Sequence, residues 1–241
     1  MDKRIFALGF FDGVHLGHQA LLRECVRLAE EMNAEPAAIT FEKHPKALFL
    51  NPPPVLLSTL DVRIQMLRSY GMDTVLVLPV KPEVMGQPWE QFLDNLLAEG
   101  AVGFVCGDDF RFGDGGRGNA QSLMEFCRVR NLPCVMVEEQ RYNGDRISST
   151  RIRGFIESGD LESATAYLGH GYVVQVEENG RISDGIAIPK PGRYACRAVV
   201  NGENCPIVAA ICEHAPVELP QISAPILLEL ERLLPEQEET R

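Results

Sequence analysis

The chain has 241 residues, 45% of them hydrophobic, and carries 34 acidic against 23 basic side chains for a net charge of −11. That length suits one large or two modest domains with a full core, and the acidic balance argues against a nucleic-acid backbone as partner while leaving room for a nucleotide in one cationic pocket. No apolar run is long enough to span a membrane, and the short apolar start after Met1-Asp2-Lys3-Arg4 does not read as a signal peptide.

The first apolar run, 5–8, ends in Gly9-Phe10-Phe11-Asp12-Gly13-Val14-His15-Leu16-Gly17-His18, and a helical pattern opens at Gln19 and runs to Met32. Strand, Gly-rich turn and helix in that order aim backbone N–H groups and a helix N-terminus at one point, a ready anion site. His15 and His18 can add hydrogen bonds or positive charge to an oxyanion there. Gly17 between them lets a phosphate approach the backbone. On equal terms, the pair reads as two histidines satisfied at a turn.

Further on, 35–41, 74–80, 102–106 and 134–138 read as short buried strands. Helical patterns lie between them: Val62, Ile64, Met66 and Leu67, then 89–98 behind Pro88, then 122–130. This alternation predicts a parallel sheet with helices on both faces. Ligands of such sheets bind at the carboxyl ends of the strands, where the strand order reverses.

Three more segments bear polar groups at strand or helix ends. Thr40-Phe41-Glu42-Lys43-His44-Pro45 closes the second strand and by itself reads as a loop. Cys106-Gly107-Asp108-Asp109-Phe110-Arg111-Phe112-Gly113 closes a buried strand and runs into Asp114-Gly115-Gly116-Arg117-Gly118. Its glycines permit a mobile loop and its aromatics can lie against a flat ring system, or Phe110 and Phe112 can simply tuck inward. Ile147-Ser148-Ser149-Thr150-Arg151-Ile152-Arg153 precedes a helical stretch, 154–158. One hydroxyl there is ordinary N-cap chemistry; three hydroxyls with two arginines make a triphosphate clamp.

Past Gly171 the texture changes. Strands are predicted over 172–176, 193–200 and 206–212, separated by turns at Glu178-Asn179-Gly180, Pro189-Lys190-Pro191-Gly192 and Asn201-Gly202. An amphipathic helix is predicted over 224–234, docking on this small module, with a frayed charged tail over 235–241. The seven cysteines are scattered, odd in number and without a CxxC pair. They suggest neither a zinc site nor a disulfide framework, Cys25, Cys106 and Cys134 read as core residues, and a reducing, cytoplasmic setting is expected.

GFFDGVHLGHQ, TFEKHP, GDDFRFG and ISSTRIR thus occur in order along one chain. The HxGH pattern resembles the nucleotidyltransferase signature. Over about residues 4–172 the chain resembles the bacterial FAD synthetase family, the bifunctional riboflavin kinase/FMN adenylyltransferases. The resemblance implies an α/β fold: a Rossmann-like nucleotidyltransferase domain with a parallel sheet over 1–170, then a small β-barrel-like module with a C-terminal helix over 171–241. It implies transfer of AMP from ATP, carried with Mg²⁺, to FMN, giving FAD and pyrophosphate, with no metal cage of the protein's own. His15, His18 and Arg153 would be catalytic. Gly9, Phe10, Phe11, Asp12, Gly17, Ser148, Ser149, Thr150 and Arg151 would bind ATP. Asp109, Phe110, Arg111 and Phe112 would bind flavin.

The family's kinase motif, GFPTAN, has no counterpart. The corresponding stretch reads Gly180-Arg181-Ile182-Ser183-Asp184-Gly185-Ile186-Ala187-Ile188-Pro189, although Pro191-Gly192-Arg193-Tyr194-Ala195 resembles the family's LPxGVYA. Riboflavin kinase activity is therefore expected to be missing, with a separate kinase supplying FMN. A nucleotidyltransferase for another phosphorylated acceptor, a non-catalytic flavin- or nucleotide-binding regulator and a surviving riboflavin kinase stand as alternatives.

Overall fold

A computed structural model describes residues 2–200, 203–212, 215–219 and 225–235. The chain divides into two compact units, Met1–Pro54 with Arg63–Arg146, and Val55–Val62 with Ile147–Arg241.

The first unit runs β1 (Arg4–Leu8), α1 (Leu16–Met32), β2 (Glu35–Phe41), α2 (Leu60–Ser69, from Arg63 onward), β3 (Thr74–Leu78), α3 (Trp89–Ala98), β4 (Ala101–Gly107), α4 (Ala120–Arg130) and β5 (Cys134–Val137). The strands form one parallel sheet in the order β3-β2-β1-β4-β5. Apolar residues on both faces of each strand make this possible, since a parallel sheet is covered on both sides. In β1, Ile5 and Ala7 join a core with Leu21, Leu22 and Cys25 of α1. Phe6 and Leu8 face the other way, into a core with Phe92, Leu93 and Leu96 of α3 and Leu123 and Phe126 of α4. Order reverses between β1 and β4, so the segments after Leu8 and after Gly107 flank the crevice where such sheets take ligands.

Helix α1 begins three residues ahead of the expected Gln19, because His15 caps it: its Nδ1 accepts the His18 N–H at 3.3 Å. The helix ends at Asn33, which takes the left-handed conformation and returns its N–H to Ala29 and Glu30. The seven cysteines are free thiols; Cys25 and Cys106 are buried, whereas Cys134 is only partly covered.

In the second unit, α5 (Ser149–Ser158) and α6 (Leu161–Leu168) precede β6 (Tyr172–Val176), β7 (Gly192–Val200), β8 (Glu203–Ile211) and β9 (Ile226–Leu233). The four strands pair antiparallel in the order β6-β9-β7-β8. The tight turn expected at 178–180 forms, with the Gly180 N–H on the Glu177 carbonyl at 2.8 Å. The turn expected at Asn201-Gly202, and the tail after Pro235, lie outside the described residues.

The helix expected over 224–234 does not form; position 224 lies outside the described residues and Ile226–Leu233 is the central strand β9. Leu, Glu and Arg favour helix intrinsically, and 226, 227, 230 and 234 also fit helical spacing. Burial obeys the other period: Ile226, Leu228 and Leu230 are buried and Leu227, Glu229 and Glu231 half-buried in alternation. Pairing with β6 on one side and β7 on the other overrides the local preference. Leu230→Ala is therefore expected to cost about 2–5 kcal/mol, as for a fully buried leucine, and Leu227→Ala clearly less. Urea unfolding of the two variants checks this; equal losses, as two residues on one helix face would give, contradict the strand.

Candidate active site

The turn after β1 is built from strained backbone. Phe11 (φ 60°), Gly13 (φ 71°) and Val14 (φ 41°) all lie in the left-handed region, where a non-glycine residue is uncommon and a β-branched one an outlier. The strain, on the order of 1–3 kcal/mol for each such residue, is offset by burial. The Phe11 and Val14 side chains are wholly enclosed in the core shared with α1. Phe11 can thus meet a ligand only through its backbone. Gly9 is required beneath it, since a Cβ there would stand 2.9 Å from the Phe11 ring.

Polar contacts fix the rest of the turn. Thr40 Oγ1, at the end of β2, donates to the Phe10 carbonyl at 2.8 Å. Gln19 Nε2 donates to the Val14 carbonyl at 3.0 Å. The Phe10 ring meets His44 edge-on, with centroids 5.0 Å apart. Arg63, completely buried, lays its guanidinium 4.2 Å from the centre of the Phe10 ring and donates from Nη2 to the Phe41 carbonyl at 2.7 Å. Burial pulls Arg63 down to about 10, against the opposing pull of Asp12, which is itself buried.

The His15 and His18 rings stack face to face, 3.7 Å between centroids and 10° between planes. Because His15 Nδ1 accepts the His18 N–H, a neutral His15 ring carries its proton on Nε2. Part of His18 reaches the surface, but its Nδ1 is buried without a hydrogen-bond partner. Burial first, then the nearby charges of His15 and Arg63, hold its pKa well below the ordinary histidine value. A Cβ at Gly17 would come 3.3 Å from two atoms of the His15 ring, so that glycine serves the stacking as much as any ligand.

The loop after β4 supplies the opposite wall. Phe110 and Phe112 stack with centroids 5.3 Å apart. Phe112 is buried against Trp89 and Phe92, so the inward reading holds for it, yet both rings line a cavity of about 830 Å³. The volume is in the range of small-molecule sites, and its lining is largely apolar. Gly9, Phe41, His44, Phe49, Met85 and Arg111 also face it. Gly113 has a positive φ (71°), and a Cβ there would stand 2.5 Å from Trp89 Cβ, so the glycine makes room for Trp89. Asp109, by contrast, is exposed and ion-paired with Arg146, which also holds Glu139 at 2.9 Å.

In the second unit, Ser148 caps α5 by accepting the Arg151 N–H at 3.4 Å. Ser149 and Thr150 occupy the first turn. Arg153 Nη2 donates to Thr150 Oγ1 at 3.1 Å. Arg151 is turned to the Tyr167 hydroxyl of α6, 3.2 Å away. Capping accounts for Ser148 alone, and the remaining hydroxyls and Arg153 stay gathered at a helix N-terminus.

The model of the FAD synthetase family matches residues 1–151. The chain belongs to that family. A bifunctional riboflavin kinase/FMN adenylyltransferase from Listeria monocytogenes is 32% identical over 219 residues, spanning 83% of this chain and 69% of that protein. A protein from the same organism named FAD synthetase is 29% identical over 197 residues, 79% of each chain. The crystal structure of a macrolide-efflux protein from Streptococcus pneumoniae superposes with a TM-score of 0.80 at 19% identity, over 97% of this chain and 86% of that one, which speaks to the fold alone. In this family member, no helix among the described residues is long and apolar enough to cross a membrane.

Sequence reasoning missed Arg63, Phe41, His44, Phe49 and Met85. Arg63 had one signal, a cation within the run Val62-Arg63-Ile64, and Phe41 and His44 lay in a segment that read as a plain loop.

The depressed pKa of His18 has a sign that can be checked. Below the ordinary histidine pKa of about 6.5, the unfolded chain takes a proton that the folded His18 refuses, so stability falls as pH drops through that value towards the folded pKa. Urea midpoints at pH 7.5 and 5.5 are expected to differ less in His18→Gln than in the wild-type chain. An equal difference would mean that His18 takes up its proton as readily in the fold as out of it.

Proposed function

We propose that the protein is an FMN adenylyltransferase that makes FAD and pyrophosphate from FMN and ATP, without riboflavin kinase activity. The observation that carries the reading is one shared residue. Gly9 opens the histidine-bearing anion turn and also lines the ring-walled apolar cavity. A site that holds a phosphate beside a flat apolar ring suits a flavin phosphate. The bounds we propose are 1–170 for the adenylyltransferase module and 171–241 for a shortened kinase-like module, in a cytoplasmic protein supplied with FMN by a separate kinase.

The FMN phosphate oxygen is already anionic, so the reaction needs positioning and charge stabilisation more than a base. That oxygen attacks the α-phosphorus of ATP, and the bond to the β-phosphate bridging oxygen breaks. His15 and His18, with the N–H groups of the turn and of α1, hold the α-phosphate oxygens as charge grows there. His18, kept neutral, contributes a hydrogen bond rather than a charge. Gly9, Phe10, Phe11, Asp12 and Gly17 shape the turn, the first three through backbone. Ser148, Ser149, Thr150 and Arg153 hold the leaving pyrophosphate, with Arg151 beside them. Phe110 and Phe112 face the flavin ring and Arg111 borders it, whereas Asp109, paired with Arg146, stands outside the cavity lining. Mg²⁺ would come with the ATP substrate, held mainly by it and by water.

For the kinase, the relevant stretch offers Ser183 and Asp184 as oxygen ligands. Ser183 is buried and bonded to Glu177 and to the Gln175 carbonyl, which commits it to the fold.

Incubation with ATP and Mg²⁺, plus FMN or riboflavin, followed by chromatography of the flavins, tests the proposal. FAD from FMN and no FMN from riboflavin are expected. Turnover of another phosphorylated acceptor but not FMN overturns the acceptor, and FMN formed from riboflavin overturns the loss of the kinase.

Among variants, His18→Ala is expected to lower kcat roughly 10²–10³-fold, the loss of one preorganised donor, with flavin affinity little changed. Arg153→Ala is expected to raise the KM for ATP, and Arg153→Lys to recover only part of it, because lysine lacks the two-pronged guanidinium contact. Steady-state kinetics separate these effects, and unchanged ATP kinetics in both arginine variants would remove Arg153 from the clamp.

A further inference from the structure

A fully buried arginine needs a reason to be there. Arg63 is 0% exposed; its Nη2 reaches the Phe41 carbonyl, while its Nε and Nη1 are buried without hydrogen-bond partners. Burying a guanidinium costs several kcal/mol unless its donors are met. One carbonyl and one aromatic face meet only part of that cost. A hydrophobic side chain of similar volume would fill the same space without it.

We propose that Arg63 is a positioning residue for adenylyl transfer, a buried cation that locks the Phe10–Asp12 turn onto the end of β2 and fixes how the His18 ring is presented to the nucleotide. The geometry supports both parts. The guanidinium lies over the Phe10 ring and bonds the last residue of β2. Thr40, the neighbouring β2 residue, bonds the Phe10 carbonyl. The turn is thus held to β2 from its backbone by Thr40 and from its ring by Arg63. The same turn meets His18, whose ring stands edge-on to Phe11 with centroids 5.3 Å apart and whose buried, unpartnered Nδ1 feels the charge of Arg63. A guanidinium can only donate, so its presence favours His18 with Nδ1 bare and the proton on Nε2. The charged groups around that ring are His15, stacked on it, Arg63, and Asp12, whose charge acts on Arg63. His44, against Phe10, completes the titratable set at the turn.

The inference rests on the adenylyltransferase reading, but one arm of its test does not. Arg63→Met keeps the bulk and removes charge and donors; Arg63→Lys keeps the charge. In Arg63→Met, Tm is expected to hold or rise, since an incompletely paired buried charge has gone, while kcat falls on the order of tenfold or more and KM for ATP and FMN moves little. Arg63→Lys is expected to restore part of kcat. A structural role gives the reverse: Tm falls and the folded fraction keeps its kcat, which would overturn the proposal.

The second arm is NMR of ¹⁵N-histidine-labelled protein without substrate. Wild-type His18 is expected as one neutral tautomer across pH 6–8, and in Arg63→Met as a mixture of the two neutral tautomers, since burial and His15 still disfavour its protonation. Identical His18 signals in the two proteins overturn the proposal whatever the reaction is. If wild-type protein fails to adenylylate FMN but the His18 signals change as expected, the reaction assignment falls and the positioning role stands.

Discussion

Phe11 and Val14 hold left-handed backbone at the end of β1 because their side chains are locked in the core beneath α1. Everything at the carboxyl edge of the sheet depends on that exchange of strain for burial. The reversal brings His15 to the head of α1 as its cap, and the cap brings the two imidazoles into register. A looser turn would leave the same residues in sequence order but not in stacked geometry. Strain of this kind persists where the surroundings over-determine it, and here an entire helix–strand interface does so.

The other constraint is polar. The turn's outward carbonyls are met by side chains from elsewhere in the same unit, Thr40 for Phe10 and Gln19 for Val14. Arg63 is the exception to this thrift, because it brings more donors into the core than the core uses. Natural sequences keep such costly groups where activity needs them. The apolar cavity beside them is simpler. It is a gap in the sheet's upper core walled by stacked rings, and the glycines at 113 and 118 keep Trp89 close behind that wall.

The parallel sheet was legible because its strands are short, mostly apolar runs and helical patterns alternate with them. The turn was legible because glycine and histidine at those positions have few other uses together. Arg63 was not, since its one local sign, apolar neighbours at 62 and 64, does not separate a buried arginine from a solvated one on a helix. Nor was the role of Phe41 and His44, which depends on β2 lying beside β1. The strand β9 was misread for a related reason. Its leucines and glutamates satisfy both periods, and only neighbours that come earlier in the chain, β6 and β7, decide between them. The four helical residues of α6 buried behind Asp160 passed unread as well, a short helix announced chiefly by its cap.

The second unit takes eight of its residues from the middle of the first. Leu56 bridges to Ile186, and Thr59 donates to Gln175 across 116 positions. During synthesis at about 5–20 residues per second, Leu56 would emerge roughly 6–26 s before its partner. Through that interval the segment 55–62 lacks the later residues it pairs with in the folded unit.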